Sequence, residues 1–175
     1  DRVILVGHSD GATIALIAAG AMPERVAGVV ALAPHLFSEP QTLSAIRSQI
    51  EAFETGDLKQ RLARYHGSKT EALFARLVDA WTGGGLRRWG AEPWLARIRC
   101  PVLTISGAED PYFTNAQAEA IRAAIPGRLD TLALPDCGHS PHQQDRQTTL
   151  AAATAFVRDL LNSPALASEP KVVTG

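Results

Sequence analysis

Val3-Ile4-Leu5-Val6-Gly7-His8-Ser9-Asp10-Gly11 is the stretch on which the fold turns. Its first four residues are all apolar, the pattern of a strand buried on both faces rather than the alternation of a half-exposed one. Ala12 to Met22 follows, rich in Ala, Leu and Ile and unbroken until Gly20 and Pro23, so the order is strand, tight turn, helix. Val26 to Ala33 is a second apolar run, rich in Val and closed by Pro34. Two such strands joined by one helix make a parallel βαβ unit with a right-handed crossover. A strand buried on both faces belongs inside a sheet, and this one starts at the third residue of a chain without an opening Met. Further strands are therefore expected upstream, with this chain forming the C-terminal part of a longer protein.

Residues 35–99 change character. Ser38-Glu39-Pro40-Gln41 has the form of a capping box with Pro in the first turn, and Leu43, Ile46, Ile50 and Phe53 follow one helix face up to Gly56. Two more helices are expected over Asp57 to His66 and Lys69 to Thr82, the second ending at Gly83-Gly84-Gly85, and an aromatic stretch, Trp89 to Trp94, closes the segment. Strand signals return in Val102-Leu103-Thr104-Ile105 and in Leu129 to Leu134, separated by a helix over Asn115 to Ile125. A last helix is expected over Asp145 to Leu161, and a disordered tail over 162–175. The organisation is thus a core of residues 1–34 and 100–161, interrupted by a helical cap at 35–99. It belongs to the α/β class, a parallel sheet flanked by helices with the cap over the carboxyl ends of the strands.

The 175 residues carry 17 Lys and Arg against 18 Asp and Glu, a net charge of -1, so nucleic acid is not an expected partner. With 46% hydrophobic residues and a mean hydropathy of -0.01, the chain has the composition of a globular domain. Cys100 and Cys137 show neither disulfide-framework nor zinc-site spacing and read as small buried apolar residues. The apolar stretch Ala12 to Met22 is too short to span a bilayer and no basic leader precedes it, so no membrane association and a cytoplasmic location are expected.

Gly7-His8-Ser9-Asp10-Gly11 fits G-x-S-x-G in the strand-to-helix context that pattern needs. Both glycines are expected to make room for a sharp turn that leaves the Ser9 hydroxyl standing above the sheet, with the Asp10 amide at the helix start aimed at the same space as an oxyanion donor. A serine hydroxyl needs a base, and the base needs an acid to hold its tautomer. Asp110 follows the third strand and His139 follows the fourth, giving the order Ser, Asp, His. Glu109 and Asp136 are rivals for the acid, and His142 for the base. His139 and His142 lack the carboxylate or Cys that would complete a metal set, so no metal is expected.

His8, His35, Phe37, Trp81 and Tyr112 are candidates for substrate contact, although His8 also reads as a packing residue beside the turn. Tyr65, Trp89 and Trp94 are further candidates for an aromatic wall, and Arg87-Arg88 for holding a carboxylate. Gly83-Gly84-Gly85 is not followed by Lys and Ser/Thr as a phosphate loop requires, and reads as a hinge.

Leu5-Val6-Gly7-His8-Ser9-Asp10-Gly11, Pro101-Val102-Leu103 leading to Asp110-Pro111, and Gly138-His139-Ser140 together resemble the nucleophile elbow, acid segment and histidine loop of the α/β-hydrolase superfamily. The resemblance covers nearly the whole chain except the tail, and is strongest to lidded single-domain hydrolases. It implies that the strands are the last four of eight and that residues 35–99 are the lid. It also implies a cofactor-free serine hydrolase acting on an ester or activated carbonyl of a small molecule. Hydrolysis of carbon–carbon bonds in ring-cleavage products is the alternative within the same fold. The resemblance places the second oxyanion donor on an upstream loop outside this sequence. A third reading is therefore an inactive fragment or pseudo-hydrolase whose apolar first strand pairs with a second copy.

Overall fold

A computed structural model describes residues 2–83 and 90–163. Gly84, Gly85, Arg87, Arg88, Trp89 and residues 164–175 of the expected tail lie outside that range. Four parallel strands form one sheet in chain order: β1 (Val3–His8), β2 (Val26–Leu32), β3 (Val102–Gly107) and β4 (Leu129–Leu134). Between β1 and β2 runs α1 (Asp10–Ala21), and between β3 and β4 runs α6 (Asn115–Ala124). After β4 come a four-residue helix, α7 (Pro141–Gln144), which the sequence pattern did not announce, and α8 (Arg146–Asn162).

The continuous apolar runs of β2 and β3 are explained by their position, because helices cover both faces and every residue of the two strands is buried. On one face Val29, Ala31 and Val102 pack with Leu16 of α1 and Ile121 of α6. On the other Val30, Leu103 and Ile105 pack with Phe156 and Leu160 of α8. Burial of these side chains in two layers is the main source of stability for the sheet. Cys100 and Cys137 are both free and buried, as expected.

The opening strand presents the unpartnered apolar edge expected of this chain taken by itself. β1 lies at the edge of the sheet with β2 as its partner, and Val6 is 65% exposed. Its apolar run has the composition of an inner strand, but among the described residues Val6 faces only a shallow cavity of about 220 Å³ shared with Leu150 and Ala153.

Residues between β2 and β3 fold as α2 (Pro40–Glu54), α3 (Leu58–His66), α4 (Thr70–Thr82) and the short α5 (Glu92–Leu95). The expected capping box at Ser38 does not form. Glu39 is the N-cap without a side-chain cap bond, and Ser38 Oγ is buried without a partner among the described residues. Glu39 is drawn elsewhere, since its carboxylate accepts hydrogen bonds from Thr114 Oγ1 at 2.7 Å and Gln117 Nε2 at 2.8 Å. These bonds tie the start of α2 to the N-terminal turn of α6.

Candidate active site

Because the four strands are parallel, the loops that leave their carboxyl ends share one end of the sheet. Ser9 leaves β1 with φ 57° and ψ -125°, a left-handed conformation that a non-glycine residue holds only under constraint. The constraint is visible: Ser9 N–H donates to Leu32 O at 2.9 Å, and Ser9 O accepts from Ala12 N and Thr13 N at 2.9 and 3.2 Å. Gly7 is required for close approach, since a Cβ there would lie 2.2 Å from Gly11 O. The same expectation for Gly11 fails, because a Cβ at that position meets nothing within 4 Å among the described residues.

Asp110 follows β3 and is 2% exposed, whereas its rivals Glu109 and Asp136 are exposed. One Asp110 oxygen accepts from Tyr112 N at 2.8 Å, and the other lies 2.8 Å from His139 Nδ1. A carboxylate is acceptor only, so Nδ1 carries the proton, and Nε2 is left to accept the Ser9 hydroxyl at 2.9 Å. The structure therefore brings Ser9, His139 and Asp110 into one hydrogen-bonded line. Gly107 makes that meeting sterically feasible, because a Cβ there would lie 2.1 Å from Cys137 O and 2.2 Å from Gly138 O in the histidine loop.

The remaining histidines separate. His8 Nε2 donates to His139 O at 2.7 Å and its ring sits against those of His139 and His142, so it clamps the histidine loop. Burial lowers its pKa below 6.5, partly offset by that bond. His142 has no hydrogen bond to Ser9, and its Nδ1 is buried without a partner among the described residues. His35 is buried, with Nε2 donating to Asp10 Oδ1 at 3.1 Å.

Trp81 of α4 packs its edge on His35 at 4.8 Å, and the Tyr112 ring stands 4.6 Å from His139. Burial, together with the Asp110 charge, pushes the Tyr112 hydroxyl above its usual pKa, and its side chain shares a cavity with Gln49 of α2. Phe37 packs into the core beside α6. The wider aromatic wall does not assemble from Tyr65 and Trp94, since Tyr65 is 85% exposed on α3 and Trp94 pairs with the Arg97 guanidinium. Gln117 and Thr13 are the residues that sequence reading missed. Gln117 is fully buried and holds Leu36 N, Phe37 O and Glu39, and its only signal was a polar residue four before Ile121 on the apolar face of α6.

A cavity of about 460 Å³ adjoins His139 and is lined by Gln49, Glu109, Tyr112 and Gln143. Another, of about 490 Å³, lies under α6 against Thr104 and Thr131 and touches none of the three aligned side chains. No group of His, Cys, Asp and Glu among the described residues is arranged to hold a metal. No helix among them is long and apolar enough to cross a membrane.

The family model for the alpha/beta hydrolase family matches residues 1–153. The chain belongs to that family. It is 27% identical over 181 residues to 2-(acetamidomethylene)succinate hydrolase of Mesorhizobium japonicum, covering 89% of this chain and 64% of that protein's length. The chain thus spans somewhat less than two thirds of this relative. The crystal structure of E-2-(acetamidomethylene)succinate hydrolase is similar with a TM-score of 0.66 at 25% identity, over 90% of this chain and 67% of the other. A thermophilic esterase from Thermogutta terrifontis superposes with a TM-score of 0.59 at 21% identity, over 91% and 65% of the two chains, a likeness of fold.

Proposed function

We propose that this member of the family is a serine hydrolase acting on an ester or similarly activated carbonyl. The observation that carries the reading is the line from Asp110 through His139 to Ser9, at 2.8 and 2.9 Å. In this mechanism Ser9 Oγ attacks the carbonyl carbon while its proton passes to His139 Nε2, and Asp110 holds the imidazolium that forms. The carbonyl oxygen becomes an oxyanion bound by the Asp10 amide at the positive end of α1. Collapse breaks the bond to the leaving group, which takes the proton from Nε2. Water then attacks the acyl carbon while giving a proton to the same nitrogen, and collapse breaks the bond to Ser9 Oγ, which takes that proton back as the acid leaves. Residues 35–99 act as the cap, whose Trp81 packs on His35, while Tyr112 of the acid loop stands beside His139. No cofactor takes part.

A second reading follows from the relative, whose name specifies a succinate derivative. The Asp10 carboxylate beside Ser9, with its side chain 46% exposed, disfavours a dianion on that side of the site, so the neutral ester stays the first choice.

The test is labelling with a fluorophosphonate probe and mass mapping of the modified residue. Modification of Ser9 that disappears in Ser9→Ala and His139→Ala is expected. Modification elsewhere, or labelling that survives His139→Ala at the wild-type rate, overturns the assignment. Initial rates on p-nitrophenyl acetate against a succinate half-ester then separate the two substrate classes.

A further inference from the structure

Asp10 carries an internal conflict. Its amide is the group assigned to the oxyanion, yet its side chain is a carboxylate at the first position of α1, where the helix dipole favours negative charge. Left free, that carboxylate can swing toward the same amide-lined space, compete for the N–H and repel an oxyanion forming there.

The structure holds it aside with a rigid donor. His35 is 3% exposed and lies just past β2, two residues beyond Ala33 at φ 48°. Its backbone is pinned on both sides by one hydroxyl: His35 N donates to Thr13 Oγ1 at 3.2 Å, and Thr13 Oγ1 donates to His35 O at 2.7 Å. The next residue is pinned as well, with Leu36 N donating to Gln117 Oε1 at 2.8 Å. Trp81 meets the His35 ring edge-on, with centroids 4.8 Å apart. Nε2 is thereby aimed at Asp10 Oδ1 at 3.1 Å.

The other ring nitrogen says what kind of contact this is. His35 Nδ1 is buried and has no partner among the described residues. A proton on it would leave a buried donor unpaired, at about 1–3 kcal/mol, whereas a bare lone pair costs less. The ring therefore suits the neutral tautomer with hydrogen on Nε2, a tether rather than an ion pair. A neutral His35 also sets no second cation beside His139, whose ring lies nearly parallel to it at 6.3 Å and must itself accept a proton in the reaction.

We propose that His35 is a positioning residue that tethers the Asp10 carboxylate away from the oxyanion space and so keeps the Asp10 amide available. The proposal rests on the serine-hydrolase reading above. His35→Phe keeps the ring volume and deletes the donor. It is expected to lower kcat on p-nitrophenyl acetate about tenfold with KM within about twofold, a loss confined to the transition state, and His35→Gln, which retains an N–H, to recover most of it. In an Asp10→Ala background there is no carboxylate to hold, so the same His35→Phe change is expected to cost less than about twofold. An equal loss in both backgrounds, or no loss from His35→Phe alone, overturns the proposal. A readout free of turnover is the nitrogen-15 spectrum of the His35 ring, expected to show Nε2 protonated and Nδ1 bare, with a shift in Asp10→Asn. The opposite tautomer sinks the tether even if Ser9 is reactive. A wild-type chain that ignores both ester and fluorophosphonate sinks the hydrolase reading, while the ring spectrum still judges the tether.

Discussion

Every residue of β2 and β3 is buried, whereas α3 has no buried residue and α2 and α4 bury two each. The strands are therefore held by two-sided packing, and the loops at their carboxyl ends inherit that rigidity. Helices α2 to α4 are held by a thinner set of contacts, whereas Leu36, Ala91, Leu95 and Ile98 on either side of them belong to the core. Some are internal, such as Phe53 stacked on Phe74, and some reach the loops of the core, such as Thr42 Oγ1 donating to Tyr112 O at 3.4 Å and Gln41 Nε2 to Asp110 O at 3.5 Å. The difference assigns separate jobs. Hydrogen-bond geometry at 2.8–2.9 Å between residues 29 and 130 positions apart needs the rigid part. A loosely attached helical segment suits admission of substrate and release of product.

If the chemistry resides in the rigid part, its largest sensitivity lies there. Asp110→Asn preserves shape but offers an amide to His139 Nδ1, which favours the wrong tautomer, and turnover is expected to fall about 10⁴-fold. Retention of activity within tenfold would mean that Asp110 does not orient the base. A backbone test comes next. Gly107→Val forces the acid strand and the histidine loop apart, with an expected loss of about 3 kcal/mol in urea denaturation and no labelling of Ser9. Gly11→Ala, inside the serine motif itself, has open space and removes a helix glycine, so it is expected to gain up to about 1 kcal/mol. A large loss at Gly11 would overturn the description of the turn.

This contrast also explains what could be read from the sequence. The strands, the helix between each pair and the Ser, Asp, His order were legible because strands buried on both faces leave long apolar runs and tight turns leave glycines. The exposed edge of β1 was legible too, since an apolar run of inner-strand composition at the third residue has no partner on one side in this chain. The fate of Glu39 was not: a helix-start pattern is local, and the competing partners Thr114 and Gln117 come from 75 and 78 residues away. The two glycines of the motif looked equivalent in sequence, and only the approach of Gly11 O to Gly7 distinguishes them. His8 and His35 could be named as candidates, but their opposite tasks, one on the histidine loop and one on Asp10, depend on which buried acceptor each ring meets.

His8 gives a smaller effect with a definite sign. Its folded pKa is lowered below 6.5, chiefly by burial. Above that pH the residue is neutral in both folded and unfolded chains. As pH falls through 6.5 the unfolded chain takes the proton first, so stability present above 6.5 is lost progressively until the folded pKa is passed. The midpoint of urea unfolding is expected to drop between pH 7.5 and 5.0, and to drop less in His8→Gln. An equal drop in the two proteins would assign the acid sensitivity to other groups.

The smallest expected effect on the site comes from the 35–99 segment. Phe53 of α2 and Phe74 of α4 stack with centroids 3.9 Å apart and planes 2° from parallel, and both are only half-buried. Phe53→Ala removes that contact, worth about 1 kcal/mol beyond the lost burial, without touching any strand. If the two parts of the molecule are as separable as their burial indicates, the loss appears locally. Amide hydrogens of α2 and α4 exchange faster, those of β2 and β3 keep their protection, and the rate of fluorophosphonate labelling at Ser9 changes by less than about twofold. A labelling rate that collapses together with helix protection would mean the opposite. The hydrogen bonds from Gln41 and Thr42 to the Asp110–Tyr112 loop would then be part of what aligns Asp110 with His139, and the segment would belong to the catalytic scaffold.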